Sequence, residues 1–353
     1  MIVVSLDAMG GDHAPREIVR GAVEAIKSYP VKVLLVGPLE RLQAELDAVY
    51  KELPLTREER EQQLELVFAD QVIEMGEEPA LALRRKKNAS IAVATRLVRE
   101  GRAAAVVSAG STGAQMASAV LYLGRLPGVE RPAIATVLPG PRGPRVLLDA
   151  GANVDCRPKH LEQFALMGSV YAASQLKISR PRVGLLNVGE EAAKGNELTK
   201  SAYQLLKSAP LNFVGNIEGR EVLGGEVDVI VCDGFIGNVV LKLTEGLAKT
   251  LMEMIKEELG SSFRTRLGAL LALPGFKALR SRLDYSEYGG APLLGVKGLS
   301  IICHGSSRSR AIRHAIRVAV ESAAGDLVGK LSSSLAEAGL SENGEAKEQK
   351  TGG

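Results

Sequence analysis

The stretch IVVSLDAMGGDHAPREIVRGAVEAIKS, Ile2–Ser28, decides the fold. Ile2–Leu6 is a short, β-branched apolar run, and Arg16–Ser28 repeats its apolar residues at helical spacing. Asp7 ends the strand between them, Gly10 and Gly11 allow close backbone approach, and Asp12 or His13 caps a helix with Pro15 near its first position. The same unit recurs along the chain. Further strands are predicted at Lys32–Val36, Leu64–Ala69, Ala104–Ser108, Ala133–Leu138, Arg145–Asp149, Val183–Val188, Leu211–Val214, Val227–Cys232 and Leu299–Cys303. Helices are predicted at Leu39–Lys51, Ala80–Arg99, Gly113–Leu126, Pro158–Lys177, Glu197–Lys207, Asn238–Leu259 and Arg308–Leu331. Strands this apolar, separated by helices, are covered on both faces. The expectation is a three-layer α/β/α fold with a mostly parallel sheet, one large unit over residues 1–335 and a disordered tail over 336–353.

Composition narrows the function. The chain has 353 residues, 46% apolar, enough for a large core. A net charge of +3 and 4% aromatics without Trp argue against a nucleic-acid partner. Cys156, Cys232 and Cys303 stand far apart, which argues against a disulfide framework or a zinc ribbon and for a reduced, cytoplasmic setting. The start MIVVSLDAMGG is not a signal peptide. The uncharged run Ala103–Gly124 is interrupted by Ser, Thr, Gly and Gln and reads as strand, loop and helix rather than a membrane span.

One segment breaks the alternation: SSFRTRLGALLALPGFKALRSRL, Ser261–Leu283. Phe263, Leu267, Leu270 and Leu271, then Phe276, Leu279 and Leu283, fall at helical spacings on either side of Pro274–Gly275. Two short amphipathic helices with a Pro-Gly hinge are expected. The segment carries five basic and no acidic residues, +5 within a chain of +3, so the rest of the chain is slightly acidic. It reads either as a helical hairpin packed on the core or a second subunit, or as helices lying on an anionic membrane surface through Phe263, Leu267, Leu270, Leu271, Phe276 and Leu279.

Dinucleotide, Walker A, nucleophile-elbow and zincin motifs are absent, and the four His residues have no metal-ligand spacing. No metal and no cofactor is expected. Present instead are small-residue loops that follow strands and open helices, where backbone N–H groups and the helix dipole favour anions. They are SLDAMGGDHAP with Asp7, Gly10 and Gly11; SAGSTGA with Gly110, Ser111, Thr112 and Gly113; LLDAGANVDCRPKHL with Asp149 and Asn153; LLNVGEEAAKGNEL with Lys194; CDGFIGNVVLKLTEG with Asn238; and EYGGAPLLGVKG followed by CHGSS. Each alone is a well-made turn. Together at one sheet edge they indicate a polar, anion-binding cleft of a transferase, in which Lys194 is placed to hold a phosphate as a point charge.

In this order, SLDAMGGDHAP, SAGSTGA, LLDAGAN, LLNVGEEAAKGNEL and CDGFIGNVVLK resemble the bacterial phosphate acyltransferase family, the acyl-ACP:phosphate acyltransferases of phospholipid synthesis. The resemblance runs from Ile2 to Leu331. It implies a fold similar to phosphate acetyltransferases and isopropylmalate dehydrogenases, and a homodimer. It implies reversible transfer of a fatty acyl group from acyl carrier protein to inorganic phosphate. The acyl-phosphate would feed a membrane glycerol-3-phosphate acyltransferase, with the enzyme associated peripherally with the inner face of the membrane. The family's key lysine and asparagine fall on Lys194 and Asn238, implying that Lys194 orients phosphate and Asn238 donates to phosphate or to the thioester oxygen. Direct attack by phosphate is expected, and Arg84–Lys87 and the Arg residues of the amphipathic segment are candidate docking points for an acidic carrier protein. The alternatives are a phosphate acetyltransferase-like enzyme using acyl-CoA, an isopropylmalate-type dehydrogenase, and a non-catalytic membrane scaffold.

Overall fold

A computed structural model describes residues 1–283 and 289–340, the side chains of 277–283 excepted. In chain order the strands are β1 Ile2–Asp7, β2 Val31–Gly37, β3 Leu64–Phe68, β4 Ala105–Ser108, β5 Ala133–Ile134, β6 Thr136–Leu138, β7 Arg145–Leu148, β8 Arg182–Asn187, β9 Asn212–Glu218, β10 Val229–Val231, β11 Ala291–Leu294 and β12 Leu299–Ile302. The helices are α1 Arg16–Ser28, α2 Leu39–Glu52, α3 Arg57–Gln63, α4 Pro79–Arg85, α5 Ser90–Arg99, α6 Thr112–Ser118, α7 Pro158–Gln175, α8 Glu197–Ser208, α9 Glu221–Gly224, α10 Gly234–Gly260, α11 Phe263–Leu283, α12 Ser309–Ala324 and α13 Leu327–Glu337. A π-helical stretch, Ala119–Leu123, continues α6.

The strands form two sheets, β3-β2-β1-β4-β12-β11-β5 and β6-β7-β10-β8-β9. Pairing is parallel except where β5, β6 and β11 take part, among the described residues. Alternation along the strands sets the layers. Val4, Leu6, Val33, Leu35 and Val107 of the first sheet, and Val146, Leu148, Val183 and Val229 of the second, face one continuous core with Ile18, Ile312, Leu161 and Phe164 of the helices. The opposite residues Leu34, Val36 and Val106 pack on α5, while Leu147, Leu186 and Ile230 line a third cluster. The mostly parallel α/β arrangement is therefore as expected, but divided into two sheets. The single run predicted at Ala133–Leu138 is the crossing point: β5 pairs with β11 in one sheet and β6 with β7 in the other.

Helix boundaries moved where side chains compete with the helix for backbone groups. The run Ala80–Arg99 is broken between α4 and α5, where Asn88 N–H donates to Gln71 Oε1 at 3.1 Å and Ser90 N–H to the Gln71 carbonyl at 2.9 Å. The run Arg308–Leu331 divides at Asp326, which adopts φ 48° and accepts from Gly329 N–H at 3.2 Å to cap α13. β11 reads as loop in the sequence because of Pro292 and the preceding Gly289–Gly290. Its pairing survives because Pro292 supplies an acceptor, taken by Ala135 N–H at 3.0 Å. Ala336 and Glu337 finish α13, and 341–353 of the expected tail lie outside the described residues.

The amphipathic segment is corrected in form. No hinge breaks it: one helix, α11, runs through Pro274, and the hairpin is formed by α10 and α11. Proline removes one backbone hydrogen bond, but the flanking Ala and Leu residues are strong helix formers and carry the helix past it. The chain turns at Ser261–Ser262, where Ser262 Oγ accepts from Thr265 N–H at 3.2 Å and Thr265 Oγ1 accepts from Ser262 N–H at 3.1 Å. Phe263, Leu267, Leu270 and Leu271 are exposed and Phe276 is half-buried, while the Leu279 side chain lies outside those described.

Candidate active site

Strand direction gathers the loops. β7, β10 and β8 are parallel neighbours, so the loop 149–153, the start of α10 and the loop 188–196 emerge side by side at one edge. Neighbouring strands are about 4.8 Å apart. β1, β4 and β12 do the same in the first sheet for loops 7–12, 109–111 and 303–307.

The two sets meet at a cleft of about 290 Å³. Its floor is apolar, with Ile134, Val137, Ala150, Leu241 and Ile302. Its polar groups are Thr112, Thr136, Asn238, Glu245, His304 and Ser307. Asn238 stands in the first turn of α10, capped by Asp233, whose carboxylate accepts from Ile236 N–H at 2.8 Å. A β-carbon on Gly151 would lie 3.4 Å from that of Asn238, so the glycine lets the asparagine sit against the loop. The loop itself is organised by Asp149, fully buried, whose Oδ1 accepts from the N–H groups of Ile134, Gly151 and Ala152 at 3.0, 3.2 and 2.9 Å. Its Oδ2 accepts from the backbone N–H and Nδ2 of Asn153 at 2.7 and 2.8 Å. Burial raises the pKa of Asp149, against the opposing pull of these hydrogen bonds.

Lys194 does not line this cleft. It is exposed on the neighbouring loop after β8, where its carbonyl accepts from Asn187 Nδ2 at 3.1 Å and its N–H donates to the Glu191 carbonyl at 3.0 Å. Gly195 follows at φ 99°, a left-handed conformation open to glycine.

The structure brings Asp7, Gly10, Gly110 and Ser111 together elsewhere, around a void of about 10 Å³, the room of about one water. Their donors are in use: Ser108 Oγ donates to Asp7 Oδ2 at 2.7 Å, and Gly110 N–H donates to Ser108 Oγ at 3.0 Å. Gly11 packs on Ala109 and the Gly305 carbonyl, and Gly113 on Pro79. Thr112 alone of this group reaches the main cleft.

Sequence reasoning missed Thr136, Glu245, His304 and Ser307. The sequence places CHGSS among the anion-binding loops, and His304 enters there only as one of four histidines without metal-ligand spacing. Its signal was position, directly after a strand of the same sheet edge. Among the described residues no three His, Cys, Asp or Glu side chains come together as a metal site, and no helix is long and apolar enough to cross a membrane. Of Arg84–Lys87, Lys86 is held by Glu77 and the Val72 carbonyl, while Arg84, Arg85 and Lys87 are exposed.

Two mostly parallel sheets sharing a core, with strand-end loops converging on a polar cleft, define the phosphotransacetylase class of α/β fold. A phosphotransacetylase from Streptococcus pyogenes superposes with a TM-score of 0.62 over 92% of this chain and 94% of its own, at 15% identity, a likeness of fold alone. The chain belongs to the family described as fatty acid synthesis protein, whose model matches residues 2–329. A relative from Moorella thermoacetica named phosphate acyltransferase is 59% identical over 333 residues, 92% of this chain and 96% of the relative. One of the same name from Pelotomaculum thermopropionicum is 56% identical over 332 residues, 94% of each. The chain is an enzyme, an acyltransferase.

Proposed function

We propose that this enzyme transfers a fatty acyl group reversibly from acyl carrier protein to inorganic phosphate, giving acyl-phosphate for phospholipid synthesis. The observation that carries this reading is the identity to phosphate acyltransferases along nearly the whole chain. The site supports it. Lys194 supplies the point charge for phosphate. Asn238, at the rim of an apolar-floored cleft, donates to phosphate or to the thioester oxygen as charge develops there. Asp7, Gly10, Gly11, Gly110, Ser111, Thr112 and Gly113 shape the adjoining edge. Holding phosphate and thioester together supplies much of the acceleration.

Phosphate attacks directly in this reading. Cys303 lines the cleft, but burial pushes its thiol up to about 12, which leaves little thiolate at neutral pH to form an acyl-enzyme. Residues 1–335 work as one acyltransferase unit, as a homodimer. Exposed Arg84, Arg85 and Lys87 offer positive charge to an acidic carrier protein. Exposed Phe263, Leu267, Leu270 and Leu271, set among arginines, offer a peripheral contact with an anionic membrane surface on the cytoplasmic side.

The test is acyl-phosphate formation from acyl-carrier protein and phosphate, and its loss in Lys194→Ala. Near-normal turnover by that variant overturns the assignment of Lys194. Acyl-phosphate from acyl-CoA alone favours the acetyltransferase-like reading. A trapped acyl-enzyme on Cys303 or a serine overturns direct attack. Replacement of Leu267, Leu270 and Leu271 by Ser releases the protein from anionic vesicles, and unchanged binding removes the membrane contact.

A further inference from the structure

Glu245 and His304 both line the cleft, and a third side chain ties them together. The Lys242 ammonium, one helical turn beyond Asn238 on α10, donates to His304 Nε2 at 2.9 Å and to Glu245 Oε2 at 3.2 Å. On its other side His304 Nδ1 stands 2.8 Å from Ser306 Oγ and accepts from Ser306 N–H at 3.2 Å. The imidazole is thereby held on both sides between two elements, α10 and the loop after β12. An ammonium has three donors. Two are occupied by residues that line the cleft; Lys242 itself stands behind them at its margin, and with the side chain 48% exposed its third donor is open to solvent there. Glu245 balances the charge and disfavours a phosphate dianion on the same spot, so the group that meets Lys242 is the other participant of the reaction, the sulfur that leaves.

We infer that Lys242 is the proton donor to the departing thiolate, with His304 and Glu245 as the positioning residues that hold its ammonium at the cleft. This rests on the acyl-to-phosphate reading above. The step balances. A phosphate oxygen of HPO₄²⁻ forms a bond to the carbonyl carbon, and the C–S bond breaks with its electron pair on sulfur. Sulfur takes a proton from Lys242 Nζ, and the neutral amine recovers one from the P–O–H group that hydrogen phosphate brought in. The ammonium is restored and the products are acyl-phosphate dianion and free thiol.

The experiment compares leaving groups. Lys242→Arg keeps the cation and its reach, but a guanidinium does not give up its proton. With an acyl thioester of the carrier protein's alkyl thiol, kcat of Lys242→Arg falls about 100-fold or more, the range of a lost general acid, while the donor KM stays within about threefold. With the same acyl group on 4-nitrothiophenol, whose thiolate leaves without a proton, the loss shrinks to about threefold. Lys242→Met shows the same contrast between donors, and His304→Asn shows it at smaller size. Losses that agree within about tenfold between the two donors, or no loss on the carrier-protein donor, overturn the inference. If the unsubstituted enzyme makes no acyl-phosphate at all, the functional reading falls and takes this one with it. If it does, the ratio of losses alone decides.

Discussion

Two loops of this chain read almost alike, Leu-Asp-Ala at 6–8 and 148–150 followed within a residue or two by glycine, and they do different things. Both carry a buried aspartate at the end of a strand, β1 between two parallel neighbours and β7 with one parallel and one antiparallel neighbour. Around Asp149, five N–H donors from four residues converge on one carboxylate, and the loop wraps into a wall of the 290 Å³ cleft. Around Asp7, the carboxylate bonds the Ser108 and Ser90 side chains and the Met9 and Gly10 backbone, and the loop closes on a void of about 10 Å³. In each case the loop's donors are spent on its own aspartate or its neighbour. A glycine-rich turn after a strand is therefore not an anion site merely by having backbone N–H groups. What makes the second edge a site is the side chains brought over it by α10 and by the loop after β12.

The largest effect that would break this contrast is steric. A β-carbon on Gly237 would stand 1.8 Å from the Asp149 carbonyl oxygen, so the first turn of α10 rests directly on the loop. Gly237→Ala is expected to displace Asn238, abolish turnover and lower unfolding free energy by about 3 kcal/mol or more, read by urea denaturation. At Gly110 the nearest atoms to an added carbon lie 3.3 Å away. Gly110→Ala is expected to cost about 1 kcal/mol, a fit that needs the Ser108 hydroxyl and the Gly10 backbone each to give by a few tenths of an ångström. Equal costs at the two glycines would mean that α10 rests on the second loop no more tightly than Gly110 rests on the first.

The next effect is electrostatic and smaller. Asp149→Asn turns an NH₂ group toward donors that need an acceptor, leaving buried N–H groups unpaired at about 1–3 kcal/mol each. An overall loss of roughly 2–3 kcal/mol is expected in the same denaturation experiment. Asp7→Asn is expected to lose less, about 1–2 kcal/mol, because two of its four partners, the Ser108 and Ser90 hydroxyls, can rotate to suit an amide. A reversed order would mean that the first loop, not the second, is the one held by its carboxylate.

The sequence carried the strands and most helices because their apolar periods are long and unambiguous: Ile2–Leu6 and Arg16–Ser28 stand where their residues predict. It carried less of the two-sheet division, since Ala133–Leu138 reads as one strand and only the partners of β5 and β6 separate it. It reached Asn238 through the loop pattern and the family resemblance. It did not reach Lys242, Glu245 or His304 as a group. Lys242 and Glu245 sit inside a helical period where charged residues read as a solvated face, and His304 lies 62 positions from Lys242. Only the packing of α10 against the loop after β12 brings them together.

The smallest effect is the pH dependence, and it separates the loops most cleanly at Asp7. Burial raises the pKa of both Asp7 and Asp149 above the ordinary value near 3.8. The folded protein then binds these protons more tightly than the unfolded chain, so their contribution to stability is fully present below about pH 4 and is lost as pH rises through the folded values. Asp7→Asn keeps a neutral group of the same shape, so the decline belonging to Asp7 should vanish. Stability measured by urea midpoint from pH 4 to pH 8 should fall less steeply in Asp7→Asn than in the unsubstituted protein, with the variant gaining relative stability toward the alkaline end. The same substitution at Asp149 also removes that residue's share of the decline, but its lost hydrogen bonds lower the whole curve. A variant at Asp7 whose curve runs parallel to the parent's would show that this carboxyl stays ionised in its void.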